Sequence, residues 1–375
     1  MLSGICVIDF TQYLPGPFAA LRLADRGAEV IKVESLTGDP SRAMGEGVFS
    51  ANNRNKKSIA INLKDSDGTK LALELIKNAD VVIESFRPGV MRRLGLDYDR
   101  VKAYNEKIIY VSLTGFGQEG EWARLGSHDL NYLALSGVLD QFQNDEGCPV
   151  QPSLTMADLI GGMACSEAIM AALFQRERSG KGTHIDLSIM DALFSMMATH
   201  VRLAAVSGDQ HGLPFLNGSA LNYHLYETKD HRYMSLGALE FKFWKNFCCA
   251  VERPEWVDAY PDKLSITEPL FLTLKQLFLT RTQKEWTKLG ESADCCLFPV
   301  LNVKEAASSS YIMQRRLVHR FEQMPYVSTY QANKDLPTPP HGVPETGEHT
   351  EELLQGLLGK NKRQIKEWRE RGVIL

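Results

Sequence analysis

The chain lacks most of the signatures that assign a function at sight. Its seven cysteines, Cys6, Cys148, Cys165, Cys248, Cys249, Cys295 and Cys296, contain no Cys-x-x-Cys pair. An odd set with two adjacent doublets fits neither a disulfide framework nor a zinc knuckle, so reduced thiols in a cytoplasmic protein are the expectation. There is no His-Glu-x-x-His, no paired histidine ligands and no Gly-Lys-Ser/Thr loop, which removes metal and P-loop chemistry from the expected functions. Positive charge is not in excess: 42 Lys+Arg stand against 46 Asp+Glu, and a nucleic-acid partner is not expected. No charged leader precedes the strand-like run at 5–10, no stretch approaches membrane-spanning length, and Val373-Ile374-Leu375 is not a peroxisomal address. No membrane partner is therefore expected. Internal repeats and low-complexity tracts are absent too.

What remains is a mildly acidic chain of 375 residues, 44% hydrophobic and 23% charged. That length exceeds one ordinary core and implies two domains, or a large domain carrying a smaller insert. The first two hundred residues alternate strand and helix signals. A strand at 7–10 is followed by a helix opened by Pro17 and closed by Gly27, then by a strand at 28–34, which is a βαβ unit. Helices at 69–78, 88–93 and 98–104 and strands at 58–63, 81–84 and 108–113 continue the pattern. Further helices at 131–139, 160–176 and 189–203 flank a strand at 183–187. The fold class this predicts is α/β, a Rossmann-like large domain with a mostly parallel sheet. Gly, Asn, Ser and Pro cluster between Ser207 and Asn222, which reads as a linker. The expected division is a large domain over 1–206, a linker over 207–224, a smaller α+β domain over 225–305, and a return segment with C-terminal helices over 306–375.

Several polar residues sit where element ends would project them into a cleft. His128 and Asp158 each precede an apolar helix-like run, and both can exchange protons near neutral pH when their surroundings tune them. The competing readings are structural: a capping or core histidine, a helix N-cap aspartate, and for Glu240 a helix-start carboxylate. Gly161 and Gly162 favour function for Asp158, because two residues without Cβ admit a close ligand or a close backbone. The loop 11–17 has only Gly16 where a dinucleotide fold would carry Gly-x-Gly-x-x-Gly, so a nicotinamide enzyme is not expected and Glu34 reads as a solvated strand-end carboxylate. Two basic groups, Arg54 with Lys56 and Lys57, and Arg87 with Arg92 and Arg93, are candidate phosphate binders or solvated faces.

Taken together, Gln12-x-x-Pro15-Gly16-Pro17, the run 28–34, Asn53-Arg54-x-Lys56-Lys57-Ser58, Phe86-Arg87-Pro88-Gly89-Val90, Thr114-Gly115-Phe116-Gly117, Ala157-Asp158 and Gly180-Lys181-Gly182-x-x-Ile185-Asp186 resemble the family III CoA-transferase (CaiB/BaiF) superfamily. Within it, His128-Asp129-x-Asn131-Tyr132 and Gly237-Ala238-Leu239-Glu240 resemble motifs of the α-methylacyl-CoA racemase branch. One departure is Glu34-Ser35-Leu36, where the family often has Glu-Arg-Pro, which removes one phosphate contact. The resemblance implies an interlocked homodimer, each active site lying between a large domain and the partner's small domain. It implies no permanently bound cofactor; coenzyme A enters as part of an acyl-CoA substrate held by Arg54, Lys57, Arg87, Arg93 and Tyr132. It assigns His128 and Asp158 as the two proton-transfer groups of a racemase, Glu240 as a carboxylate supporting His128, and backbone amides near Asp158 and Gly161 as the oxyanion site. In the competing transferase chemistry Asp158 attacks the thioester as a nucleophile. A non-catalytic CoA-binding protein is the third reading.

Overall fold

Six parallel strands form the centre of a computed structural model that describes all residues except 145, 209, 214, 322 and 330–341. They are β1 (Cys6–Asp9), β2 (Glu29–Glu34), β3 (Lys56–Ala60), β4 (Val81–Glu84), β5 (Ile109–Thr114) and β6 (Thr183–Ser188). Their order is β3-β2-β1-β4-β5-β6, the doubly wound order, in which the direction of winding reverses between β1 and β4. Side chains alternate across a strand, and these strands feed two cores in alternation. Val7, Val30, Val81, Ile83, Ile109 and Val111 enter one. Ile8, Ile31, Val82 and Tyr110 enter the other. Near-continuous apolar runs are what a sheet covered on both faces requires.

The helices of this unit are α1 (Pro15–Ala24), α2 (Glu46–Asn53), α3 (Ser66–Lys77), α4 (Val90–Leu94), α5 (Tyr98–Tyr104), α6 (Asp129–Leu135), α7 (Met156–Ser179) and α8 (Ile189–Ser195). The first core is closed by Ala20 and Leu23 of α1, Cys165 and Ile169 of α7, and Leu193 of α8. The second is closed by Leu71 and Leu75 of α3 together with Leu354 and Ile365 from the C-terminal helices Thr350–Gly356 and Lys362–Glu370. Each such leucine or isoleucine contributes about 1.5–3 kcal/mol on burial. The expectation that no stretch reaches membrane-spanning length fails for α7, which has 24 residues and is long and apolar enough. Its buried face, Gly161, Gly162, Cys165, Ile169, Ala172 and Leu173, lies in this unit's interior, the setting of a core helix.

The chain divides into two compact units, 1–198 with 314–375, and 199–313. The second unit begins at 199, and the expected helix 189–203 is two helices, α8 and Ala198–Ser207, broken at 196–197. It carries a three-stranded antiparallel sheet, β7 (Tyr223–Glu227), β8 (Tyr233–Gly237) and β9 (Leu297–Pro299). Against it packs an aromatic core of Tyr226, Trp244, Phe247, Phe278 and Trp286. The region from 299 to 346 contains helices Val303–Ala307 and Ser310–Gln314 and the hairpin of strands Val318–Phe321 and Met324–Val327, while 330–341 fall outside the described residues. All seven cysteines are free.

Candidate active site

Ligands of doubly wound folds bind beyond the carboxyl ends of the strands, where the winding reverses. Here the loops after β1 and β4 meet at that place: the Gln12 amide donates to Ser85 Oγ at 3.2 Å. Beside it a cleft of about 470 Å3 is lined by Ser85, Arg87, Thr114, His128, Asn131 and Tyr132. A larger cavity, about 570 Å3, lies by the first residues of β2 and β3, with Lys57, His349 and Glu352 in its wall. That is the opposite end of the strands, and it contains none of the proton-transfer candidates.

His128 is the exposed residue immediately before α6, with extended backbone, and its amide donates to Asn131 Oδ1 at 3.0 Å. Tyr132 and Leu133 are buried and fasten α6 to the core. The Tyr132 ring meets Phe116 edge-on, and its hydroxyl accepts from Ser127 Oγ at 2.8 Å. Burial raises the Tyr132 phenol above its ordinary value despite the Ser127 bond, with Asp158 and Asp129 adding to the rise. The hydroxyl also lies over Gly115, where any Cβ would collide with it.

Asp158 is the third residue of α7, not its N-cap, which is Thr155. Its amide donates to Asp129 Oδ1 at 3.1 Å, so the first turns of α6 and α7 are tied to each other. Burial, and after it the charge of Asp129, pushes the Asp158 carboxyl up to about 6. Of the backbone amides near Asp158 and Gly161 expected to form an oxyanion site, that of Asp158 donates to Asp129, and that of Gly161 lies beyond the helix's first turn, where backbone donors bond within the helix. Nor do Gly161 and Gly162 face a ligand. A Cβ at 161 would press on Ile189, and one at 162 would strike the Pro15 carbonyl and the Phe18 ring, so these glycines permit close packing of α7 on α8 and on α1.

The basic candidates separate. Arg54 is buried, with both terminal nitrogens on the Asp25 carboxylate at 2.5 and 2.6 Å and its guanidinium over the Tyr326 ring. Lys57 bridges Glu29 and Glu352. Lys56 is fully buried against Asp9, Asn53 and the Pro17 carbonyl, and burial pushes it down to about 8. Glu34, expected to be solvated, is buried and grips Arg42 through two bonds of 2.8 and 2.7 Å because Ser58 and the Asp39 amide complete its shell. In contrast Arg87, Arg92 and Arg93 are exposed and make no ion pair among the described residues. Arg87 borders Gly126 in the cleft wall, and Arg93 lies near Gly89 at the start of α4.

Two features escaped the sequence. Glu84 closes β4, accepts the Phe86 amide at 2.9 Å beneath the Arg87 loop, and is pushed up to about 7, chiefly by burial. Thr114 Oγ1, at the end of β5 in the cleft, is buried without a hydrogen-bond partner among the described residues. Glu240 is the exposed N-cap of helix Phe241–Ala250 in the second unit, while His128, Asp158, Arg87, Arg93 and Tyr132 all belong to the first.

The chain as a whole has relatives among known proteins. The chain is 34% identical to the human alpha-methylacyl-CoA racemase over 94% of this chain and 92% of that protein. It is 30% identical to the human succinyl-CoA:glutarate CoA-transferase over 100% of this chain and 90% of that one. A CaiB/BaiF family protein from Brucella suis superposes with a TM-score of 0.83 at 25% identity, covering 95% and 99% of the two chains. The sequence model of CoA-transferase family III matches residues 2–350, so the chain belongs to CoA-transferase family III.

Proposed function

We propose that the protein inverts the α-carbon of 2-methylacyl-CoA thioesters by proton transfer between His128 and Asp158. The observation that carries this is the joined start of α6 and α7, which sets an imidazole and a carboxyl of pKa about 6 at the head of neighbouring helices. A carboxyl with that value gives and takes a proton readily near neutral pH. One group removes the α-proton, the C–H electron pair moves onto the thioester oxygen as an enolate, and the other group returns a proton to the opposite face. The resemblance to the human racemase supports this reading. Arg87 and Arg93 are the groups of this reading that meet the CoA phosphates, Tyr132 lines the acyl-CoA site, Glu240 supports His128, and the working form is a homodimer.

The second reading is CoA transfer between carboxylic acids: the Asp158 carboxylate attacks the thioester carbonyl and expels the CoA thiolate, the thiolate displaces the donor acid from the resulting anhydride to leave an Asp158–CoA thioester, and an acceptor carboxylate takes the CoA through a second anhydride that frees Asp158. Relatives named as transferases, similar to this chain over its whole length, favour it. A single enantiomer of 2-methylacyl-CoA in deuterated water separates the two. Inversion predicts α-deuterium incorporation with loss of optical purity, no acceptor required, and a loss of about a hundredfold or more in His128→Ala. Transfer of CoA to a free acid that survives His128→Ala, with no α-exchange by the parent enzyme, would establish the second reading instead.

A further inference from the structure

We propose that Asp129 is a positioning residue for the chemistry of Asp158: its carboxylate clamps the first turn of α7 to the first turn of α6, so that the acid and the neighbouring imidazole are held as one unit. This rests on the reading of Asp158 as the reacting carboxyl, which both racemase and transferase chemistry share. Asp129 directly follows His128 and accepts the amide of Asp158 itself, 29 residues away, at 3.1 Å. That amide belongs to the first turn of α7, where helix donors lack internal partners, and a neutral oxygen from Ser or Asn would satisfy it equally well. An aspartate there brings a second carboxylate against Asp158, a like-charge pair that raises the carboxyl it holds. The charge makes sense if the clamp also tunes what it holds.

The groups acting on Asp158 are few. From α6 it is Asp129, while the phenol of Tyr132 is itself raised by the charge of Asp158. On α1 Arg22 reaches Ser166, two turns further along α7; on β6 Asp186 holds the Gln118 amide; on α8 Asp191 is exposed. No cation is among the causes that shift Asp158.

Two variants divide the clamp from the charge. Asp129→Asn keeps an acceptor oxygen and removes the charge, while Asp129→Ala removes both. The carboxyl titration of Asp158, followed by NMR on protein labelled at aspartate carboxyl carbons and assigned with Asp158→Asn, should move to lower pH in Asp129→Asn by about half a unit or more. The low-pH limb of kcat should move with it while kcat at pH 8 stays within about threefold of the parent. Asp129→Ala should lose about tenfold or more in kcat with an almost unchanged Michaelis constant, and the Asn variant should rescue it. An Asp158 titration identical in parent and Asp129→Asn, or a kcat of Asp129→Ala within about twofold of the parent, overturns the proposal. The titration needs no substrate and no Ala variant. The kcat ratio is taken in whichever reaction the parent performs, so an error in the reaction assignment is seen in the parent and not in these ratios.

Discussion

The basic residues around the large sheet fall into two halves that use the same chemistry in opposite ways. Around β1, β2 and β3 four cations are matched: Lys32 with Asp39, Lys56 with Asp9, Arg42 with Glu34 and Arg54 with Asp25. Beside β4, Arg87, Arg92 and Arg93 have no carboxylate partner among the described residues. Buried ion pairs hold backbone in place: Lys32 reaches the Thr11 carbonyl, and the Asp39 carboxylate accepts the Tyr13 amide. Unpaired surface guanidinium groups are available to a phosphate, which Arg binds through two parallel bonds. The first half fixes the loop that the second half's ligand would approach.

The largest expected effect falls on the paired half. Lys56→Met leaves the Asp9 carboxylate buried without its ammonium partner, and such a loss costs about 3–5 kcal/mol, measurable as a lower urea midpoint. If stability is kept and the Michaelis constant for acyl-CoA rises instead, the two halves do not differ as described. Next comes Arg87→Ala, for which the reverse holds: the melting temperature should not change, while the Michaelis constant rises about tenfold to a hundredfold and the parent's affinity falls with salt. Unchanged binding at low and high ionic strength would return Arg87 to an ordinary solvated residue.

The smallest effect sharpens the boundary between the halves, at Glu84. Its pKa in the folded protein, about 7, lies above the ordinary 4.5, so the folded state keeps a proton that the unfolded chain releases. Stability of the parent therefore falls as pH rises from 4.5 to 7 and stays low above that. Glu84→Gln, which cannot ionise and still accepts the Phe86 amide, should equal the parent near pH 4.5 and exceed it by about 1–2 kcal/mol at pH 8. Melting curves of both proteins at the two pH values decide it.

Much of this was legible in the chain. The βαβ alternation pointed to the parallel α/β sheet because apolar period and turn residues are local, and the polar residues before apolar runs marked His128 and Asp158 as candidates. The fates of the arginines were not legible. Arg54 and Arg87 look alike in sequence, and what separates them is Asp25, 29 residues from Arg54 and brought to it only by the pairing of β1, β2 and β3. The same holds for Asp129, whose partner is another 29-residue contact, and for Gly161 and Gly162, which look like room for a ligand until the neighbouring helices are in place. Glu34 failed for this reason too: its partner Arg42 follows a turn that no periodicity describes.

Gly162 has a mechanical consequence. It lies four residues after Asp158, about 6 Å further along the axis of α7, and there the helix backbone rests directly on the Pro15 carbonyl. A side chain at such a crossing would act as a compressible spacer between the two bodies. With none present, the turn bearing the acid is seated on the segment that leaves β1, like a beam resting on its support a few ångströms from its working end. Displacements of the acid relative to the sheet are then limited to the bending of one helical turn, a short and stiff length of backbone.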